Sequence, residues 1–559
     1  MKGPSSMLAR VARVATLVRT LRPIRCGQAI AQLRHMLIGL PAPQREVGAF
    51  PTLVVESAQT AFLPPPAHVR GDPSRIEILA TPFPFEERVD WNTRLHGPLF
   101  AYHLHQQEYL RLASFDPAAR SLRLRDWIDS HDQGIGWDPH PISLRLLCWG
   151  RLLLTPGALG SDADLRDTML GSMADQARTL VRGLEIRLQA NHLLSNLIAV
   201  VWSGLLLEAE DASNWRAHAE RLVRELDAQI LPDGGHEERS PMYHSLLLEN
   251  ILDLLNLSLV VGSRAPDGLV AALSATASRM LSALEVMKHP DGRIALFADS
   301  GFDIAAEPAA LLDYATRLGV SASREERRSA LLLPQTGYLR FAVGSFDLIA
   351  SVAGPSPAHQ PGHAHCDALA FELSVDGKRL VTDTGLFEYL PGRRRDQARA
   401  TASHATLEID GREQAELWSA HRIGGRPDVA LSAWDDSGSA EGTCRGWSRG
   451  APLHRRLFRV DERRVEIVDR IEGRYSEIVS RLPLDPDWQV EFIDGDLRAR
   501  IVAEDGLERV VRFELARDYS WVIEREPSYP SFGREVERPV LVGRAGRPAE
   551  TTIRIRFER

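Results

Sequence analysis

Two imidazoles and a carboxylate stand at alternate positions in "PGHAHCDALAFEL", residues 361–373: His363, His365 and Asp367. The apolar alternation that follows predicts a strand, and a period of two puts all three side chains on one of its faces. A packed core gains little from that crowding, so the pattern points to a metal or to a reaction. Asp383, after an apolar run, and His404, just before "ATLEID", extend the cluster. His365, Asp383 and His404, from neighbouring strands, can supply nitrogen and oxygen to zinc at about 2.0–2.2 Å, with a fourth place for another ligand. The spacing matches no zinc-finger pattern, and hydrogen-bonded core histidines are the competing reading. Arg393, Arg394, Arg395 and Arg399 lie between the two halves of the cluster. They read either as a solvated loop or as positive charge that attracts a polyanion.

Two earlier stretches are also dense in polar groups. In "QANHLLSNLIAV", Asn191 and His192 adjoin an apolar helical pattern. Asn is a good N-cap, and capping alone accounts for it. In "LPDGGHEERSPMYHSLLLEN", Gly234 and Gly235 make a turn, and Ser240 followed by Pro241 predicts a helix start. Tyr243 and His244 fall in its first turn, with Glu237, Glu238 and Arg239 crowding the loop before it. Tyr243 reads either as a packing aromatic or as a reactive group on a loop held by rigid helices, where catalytic side chains are often placed.

These groups need elements to hold them. Before the chain changes character near residue 335, apolar residues recur at helical spacing in "PISLRLLCWGRLLL", "LLSNLIAVVWSGLLLEAE" and similar runs, joined by short Gly, Pro, Asp or Ser connectors. Short links favour antiparallel neighbours, so the runs must stack into a solenoid or close into a toroid. No fixed-period repeat is present. After it, short alternating runs with the Asp-Gly turns "VDGK" and "IDGR" predict a large antiparallel β-sandwich. The expected division is a lead-in over 1–70, a helical domain over 71–330 and a sandwich over 335–559, with ligands favouring the cleft between the last two.

Bulk properties narrow the classes. A chain of 559 residues is too long for one core, and 44% hydrophobic with 25% charged residues is ordinary for a globular protein. A net charge of -8 gives no general reason to expect nucleic acid or an anionic membrane. The four cysteines are scattered and imply no disulfide framework. The basic, partly apolar start, "MLARVARVATLVRTLRPIRC", has arginines in every apolar run and lacks the form of a signal peptide. It predicts an amphipathic helix, docked on the body in preference to lying on a membrane. No later stretch reads as a transmembrane segment.

Taken in order, "NHLLSN", "ERSPMYH", "HAHCDALAFEL", "DTGLFEY" and "ASHATLEIDG" resemble motifs of the heparinase II/III-like polysaccharide lyases, and the two-domain alginate lyases look similar. "WDPHPISLRLLCW" and "DWNTRLHGPLFAYHLHQQEYL" look like the cleft-lining segments that precede those motifs. The resemblance implies an incomplete (α/α) toroid followed by an antiparallel β-sandwich, and cleavage of a uronate-containing acidic polysaccharide by β-elimination. It assigns Asn191 and His192 to neutralising the uronate carboxylate. Tyr243 becomes the general acid, and on one epimer the base as well, while His363 is a base on the opposite face. A basic cleft is then expected to lower the pKa of Tyr243. The resemblance also places Glu238, Arg239, His244, Arg399 and Trp137 at the substrate. It makes His365, Asp383 and His404 ligands of a structural zinc, with no organic cofactor. Ala405 stands where the family commonly has Asn, and Cys366 where it has Ala; the first change touches the support around the metal.

Two other functions compete. One is a non-catalytic glycan-binding protein of exopolysaccharide metabolism with the same fold. The other is a metal-dependent hydrolase, disfavoured because no carboxylate pair for glycoside hydrolysis presents itself. The expected partner is an acidic polysaccharide, with no nucleic acid and no stated oligomeric state. The substrate class favours the cell envelope or periplasm, and the missing signal peptide favours the cytoplasm.

Overall fold

The computed structural model describes residues 5–44, 51–86, 88–323, 329–493, 496–502, 508–548 and 550–558. From Gly97–Gln106 to Pro308–Arg317 the chain is a succession of helices in which sequence neighbours pack on one another, such as Ala163–Arg182 on Ala190–Leu206 and Pro241–Val261 on Leu269–Leu284. Their starts follow capping rules: Asp116, Asp162 and Ser240 each accept a backbone N–H three residues on. Helices Ala190–Leu206 and Pro241–Val261 are buried on nearly every face, in a core that also includes Trp127, Trp149, Leu146 and Leu273. The span Pro241–Arg264 is long and apolar enough to cross a membrane, but 72% of its apolar window is buried inside the fold. It is the central rod of a helical core.

The helical part also contains strands that the helical periodicity did not predict. Val69–Asp72, Arg75–Ile78 and Thr81–Pro84 form a three-stranded antiparallel sheet. Four-residue strands are too short to leave a clear alternation. At the start of the chain there are two helices, Ser5–Leu21 and Cys26–Ile38, rather than one.

The sandwich begins at Ala330–Leu333, slightly before the expected 335. It comprises antiparallel sheets of five, four and eight strands around one core that includes Phe341, Leu373, Phe458, Ile467, Phe513 and Leu541. Asp376 and Gly377, with φ of 48° and 78°, turn strand Phe371–Val375 into Lys378–Val381. Asp410 and Gly411 also adopt positive φ, but the chain returns only for the single bridge Ile409–Arg412. Leu407–Ile409 pairs instead with Ile478–Pro483.

The strand expected at residue 363 starts at Phe371. Pro361, Gly362 and a left-handed Leu369 bend the preceding segment into a loop. His363, His365 and Asp367 are therefore loop residues and do not share a strand face. The two domains are fused by an apolar cluster that joins Met287 and Phe297 to Tyr338, Ile349 and Ala370. Beside it, a Cβ on Gly235 would overlap Thr336, so the turn before the Tyr243 helix approaches the sandwich as only glycine can.

Candidate active site

The helix Pro241–Val261 starts as predicted, with Ser240 accepting from the Tyr243 amide at 3.2 Å. That cap fixes the first turn and aims Tyr243 at the sandwich, where its ring lies 4.1 Å from the ring of His363. The Tyr243 hydroxyl is 2.8 Å from the hydroxyl of Tyr389. Burial, with the charges of Asp299 and Glu238 nearby, pushes the Tyr243 pKa upward despite Tyr389. The expected lowering is overturned: no arginine outweighs desolvation at this phenol. A phenol held neutral is a proton donor and a poor base.

His363 is oriented by Asp299, a residue that carried no role in the sequence reading. Its Nδ1 lies 2.8 Å from Asp299 Oδ2. The same carboxylate takes His365 Nε2 at 2.7 Å through Oδ1 and is gripped by both terminal nitrogens of Arg395. Burial alone would raise the pKa of Asp299, but Arg395 and the two histidines hold it well below the usual range. A carboxylate fixed as acceptor keeps the proton on Nδ1 of His363 and turns Nε2 into the basic nitrogen. Asp299 had a readable signal: "FADSG" repeats the pattern of "VTDTG" around Asp383. Tyr389 lay inside a quoted motif without a role.

Asn191 is not an N-cap. The cap position belongs to Gln189, and Asn191 is the second residue of Ala190–Leu206. Its amide nitrogen lies 2.9 Å from each carboxylate oxygen of Glu238. His192 has Nδ1 at 3.2 Å from Glu185 Oε2, and its pKa is raised because Glu185 outweighs the burial that would lower it. Glu185 itself is lowered to about 2: burial would raise it, but His192 and neighbouring donors prevail. Glu185 thus favours the protonated, donor form of His192, and the ring of His140, 4.5 Å away, is lowered by burial to about 3.

Asn191, Tyr243, Tyr389 and His140 line one cavity of 130 Å³. It shares Leu99, Tyr389 and Phe532 with a pocket of 370 Å³ that reaches His96 and His421. A groove thus crosses the junction of the two domains.

Several expected substrate contacts face elsewhere. Glu238 is buried and spends its carboxylate on Asn191, so it positions the amide. Arg239 donates to the backbone carbonyls of Gly354 and Gln335, clasping the domains together. His244 contacts the Met280 carbonyl at 2.9 Å. Arg399 donates to the carbonyls of Ala364, Ser419 and Ala420. Trp137 stacks on Trp127 and donates to the His131 carbonyl. The "RRR" segment is neither a solvated loop nor a polyanion lure throughout, since Arg395 is fully buried on Asp299.

His365, Asp383 and His404 offer donor atoms within 4.8 Å of one another, all buried. Nδ1 of His365 and Nε2 of His404 are buried without a hydrogen-bond partner. Burial lowers His365 to about 4, which leaves it neutral. Asp383 holds Nδ1 of His404 at 2.8 Å, and Glu372 anchors the Asp383 amide at 2.7 Å. Two orphaned imidazole nitrogens beside a braced carboxylate suit a zinc ion. His140, Glu185 and His192 are equally close, but there the Glu185–His192 pair satisfies itself.

Comparison with known proteins agrees with this architecture. The model of the heparinase II/III N-terminus matches residues 158–315, and the heparinase II/III-like C-terminal model matches residues 325–557. A crystal structure of heparinase III superposes with a TM-score of 0.67 at 16% identity, covering 85% of this chain and 80% of that one. Heparan sulfate lyase HepC from Pedobacter heparinus gives 0.56 at 18% identity, covering 88% and 81%. FtsZ-localized protein C of Caulobacter vibrioides is 28% identical over 446 residues, 77% of this chain and 73% of that protein. With both family models matched in order across a helical domain and an antiparallel sandwich, the chain belongs to the heparinase II/III-like family.

Proposed function

We propose that this chain is a polysaccharide lyase that cleaves a uronate-containing acidic polysaccharide by β-elimination. The observation that carries this reading is the stacking of a neutral Tyr243, which lines a cavity together with Asn191, on a His363 oriented by a carboxylate. His192, whose protonated form Glu185 favours, would act beside Asn191 on the uronate carboxylate and favour charge building up there. Nε2 of His363 takes the C5 proton. The released electron pair becomes the C4–C5 double bond, the C4–O bond breaks, and Tyr243 protonates the departing oxygen.

Rings 4.1 Å apart leave no room for a sugar between them. The base and the acid therefore act from one side, not from opposite faces. That syn geometry suits a uronate with C5–H and C4–O on the same face, as in a β-D-glucuronate. The test is a panel of acidic polysaccharides that includes heparan sulfate, hyaluronan, chondroitin, alginate and glucuronan. Ultraviolet-absorbing unsaturated ends are expected on glucuronate polymers, and their absence across the panel overturns the reading.

The role of Glu185 makes a separate prediction. The charge on His192 is present at low pH and is lost as pH rises through its raised pKa. Glu185→Gln removes that attraction, so the alkaline limb of the kcat/KM profile is expected to move to lower pH. An unmoved limb excludes His192 as the group that titrates there.

His365, Asp383 and His404 would hold a zinc ion, which supplies rigidity to the loop carrying His363. Metal analysis of the purified chain is expected to give about one zinc per chain. His404→Ala should abolish it and lower the melting temperature, and a metal-free wild type contradicts the assignment.

A second reading, a glycan-binding protein without turnover, draws support from one contact. The Asn191 amide is already engaged by Glu238, so its donors are not free for a substrate carboxylate.

A further inference from the structure

The first two helices are docked the wrong way round for a soluble protein. In Ser5–Leu21 the polar side faces the body. Thr16 donates to Glu416 at 2.7 Å, Arg19 Nε to the same carboxylate at 2.7 Å, and Thr20 accepts from Trp418 Nε1 at 3.0 Å. Cys26–Ile38 repeats the arrangement. Gln28 is buried and donates to the His359 carbonyl at 3.3 Å, while Arg25 reaches Gln189 at 3.4 Å.

The apolar sides of both helices point outward. At 100° per residue, Val11, Val14, Leu17, Val18 and Leu21 fall on one arc of the first helix, opposite Thr16 and Thr20. Val14 is 60% exposed and Val18 59%. On the second helix Ile30, Leu33 and Leu37 share an arc opposite Gln28, with Leu33 57% and Leu37 77% exposed. Soluble proteins seldom leave contiguous apolar patches of this kind uncovered.

Charge identifies what covers them. Residues 5–44 contain six arginines and no Asp or Glu, in a chain whose net charge is -8. Positive charge is concentrated on the two helices that show these apolar faces. A second copy of this chain would bring arginine against arginine, whereas an anionic lipid surface offers both an apolar layer and opposite charge.

We propose that the pair of helices in residues 5–38 is a membrane-surface anchor that lays its apolar arcs into an anionic bilayer and its arginines among the headgroups. It holds the protein through contacts two residues before Asn191 and four before His363, so the groove would be carried beside the bilayer. This proposal does not depend on the lyase reading.

The test is flotation of the full chain with phosphatidylcholine vesicles, with and without phosphatidylglycerol. Binding is expected with phosphatidylglycerol and should weaken as salt is added. Val18→Asp with Leu33→Asp, both at solvent-facing positions, should lower partitioning by about tenfold or more. Arg13→Glu with Arg22→Glu should lower it by about fivefold or more per reversal. Unchanged circular dichroism and melting show that the variants fold. Failure of the wild type to float at low salt overturns the proposal, as does flotation that neither double variant reduces. A dimer seen by light scattering, dissociated by Val18→Asp with Leu33→Asp and indifferent to vesicles, overturns it in favour of a second copy.

Discussion

Tyr243→Phe is expected to lower turnover of a glucuronate polymer by about 10²–10⁴-fold, the usual contribution of a positioned general acid. The substitution is nearly silent for the fold. The ring stays stacked on His363, the Ser240 cap is untouched, and the lost hydroxyl pairs only with Tyr389 in the described structure. The stability cost is expected to stay within about 1–2 kcal/mol. Oligosaccharide binding should survive, so the effect falls on kcat. Unaltered turnover in the variant would move the acid to another group, with Tyr389 the nearest candidate. If neither wild type nor variant forms unsaturated ends while both bind glycan, the binding reading replaces the enzyme.

Asp299→Ala should damage both stability and chemistry. Asp299 and Arg395 have no exposed side-chain surface, so removing the carboxylate leaves a buried guanidinium unpaired. Breaking a buried pair in that way costs about 3–5 kcal/mol, read as a lowered midpoint in urea. Turnover should fall with it, because His363 loses the acceptor that fixes its tautomer. Asp299→Ala combined with Arg395→Met removes both charges and should regain much of the stability but none of the turnover. Recovery of turnover by the double variant would show that Asp299 served the fold alone.

The legible parts of the sequence were those with local causes. Ser240-Pro241 announced its helix because cap and N1 preferences act within one turn, and Asp376-Gly377 announced its hairpin for the same reason. The change from helical to strand periodicity gave the two-domain plan. Asp299 and Glu185 escaped notice because each acts on a partner remote in sequence or across a loop: 64 residues separate Asp299 from His363, and seven separate Glu185 from His192. The Asn191 side chain was misread because an Asn at a helix start has two possible uses. Only the position of Glu238, brought in by the loop ahead of another helix, decides between them. The phenol of Tyr243 was expected to be acidified by arginines that in fact turn to backbone carbonyls and Asp299. Charge in a sequence does not state its direction.

The carboxylate of Asp299 belongs to the connection ahead of the last helix, Pro308–Arg317, whereas His363, His365 and Arg395 all come from the sandwich. A movement that parted this segment from the sandwich would break the packing of Phe297 on Tyr338 and the bond from the Asp299 amide to the His363 carbonyl, and would pull that anion out of its three-way grip. The imidazole would lose its tautomer at the same moment. On the lyase reading proposed above, such a separation would cost His363 its orientation as a base, so turnover is expected only while the two stay joined.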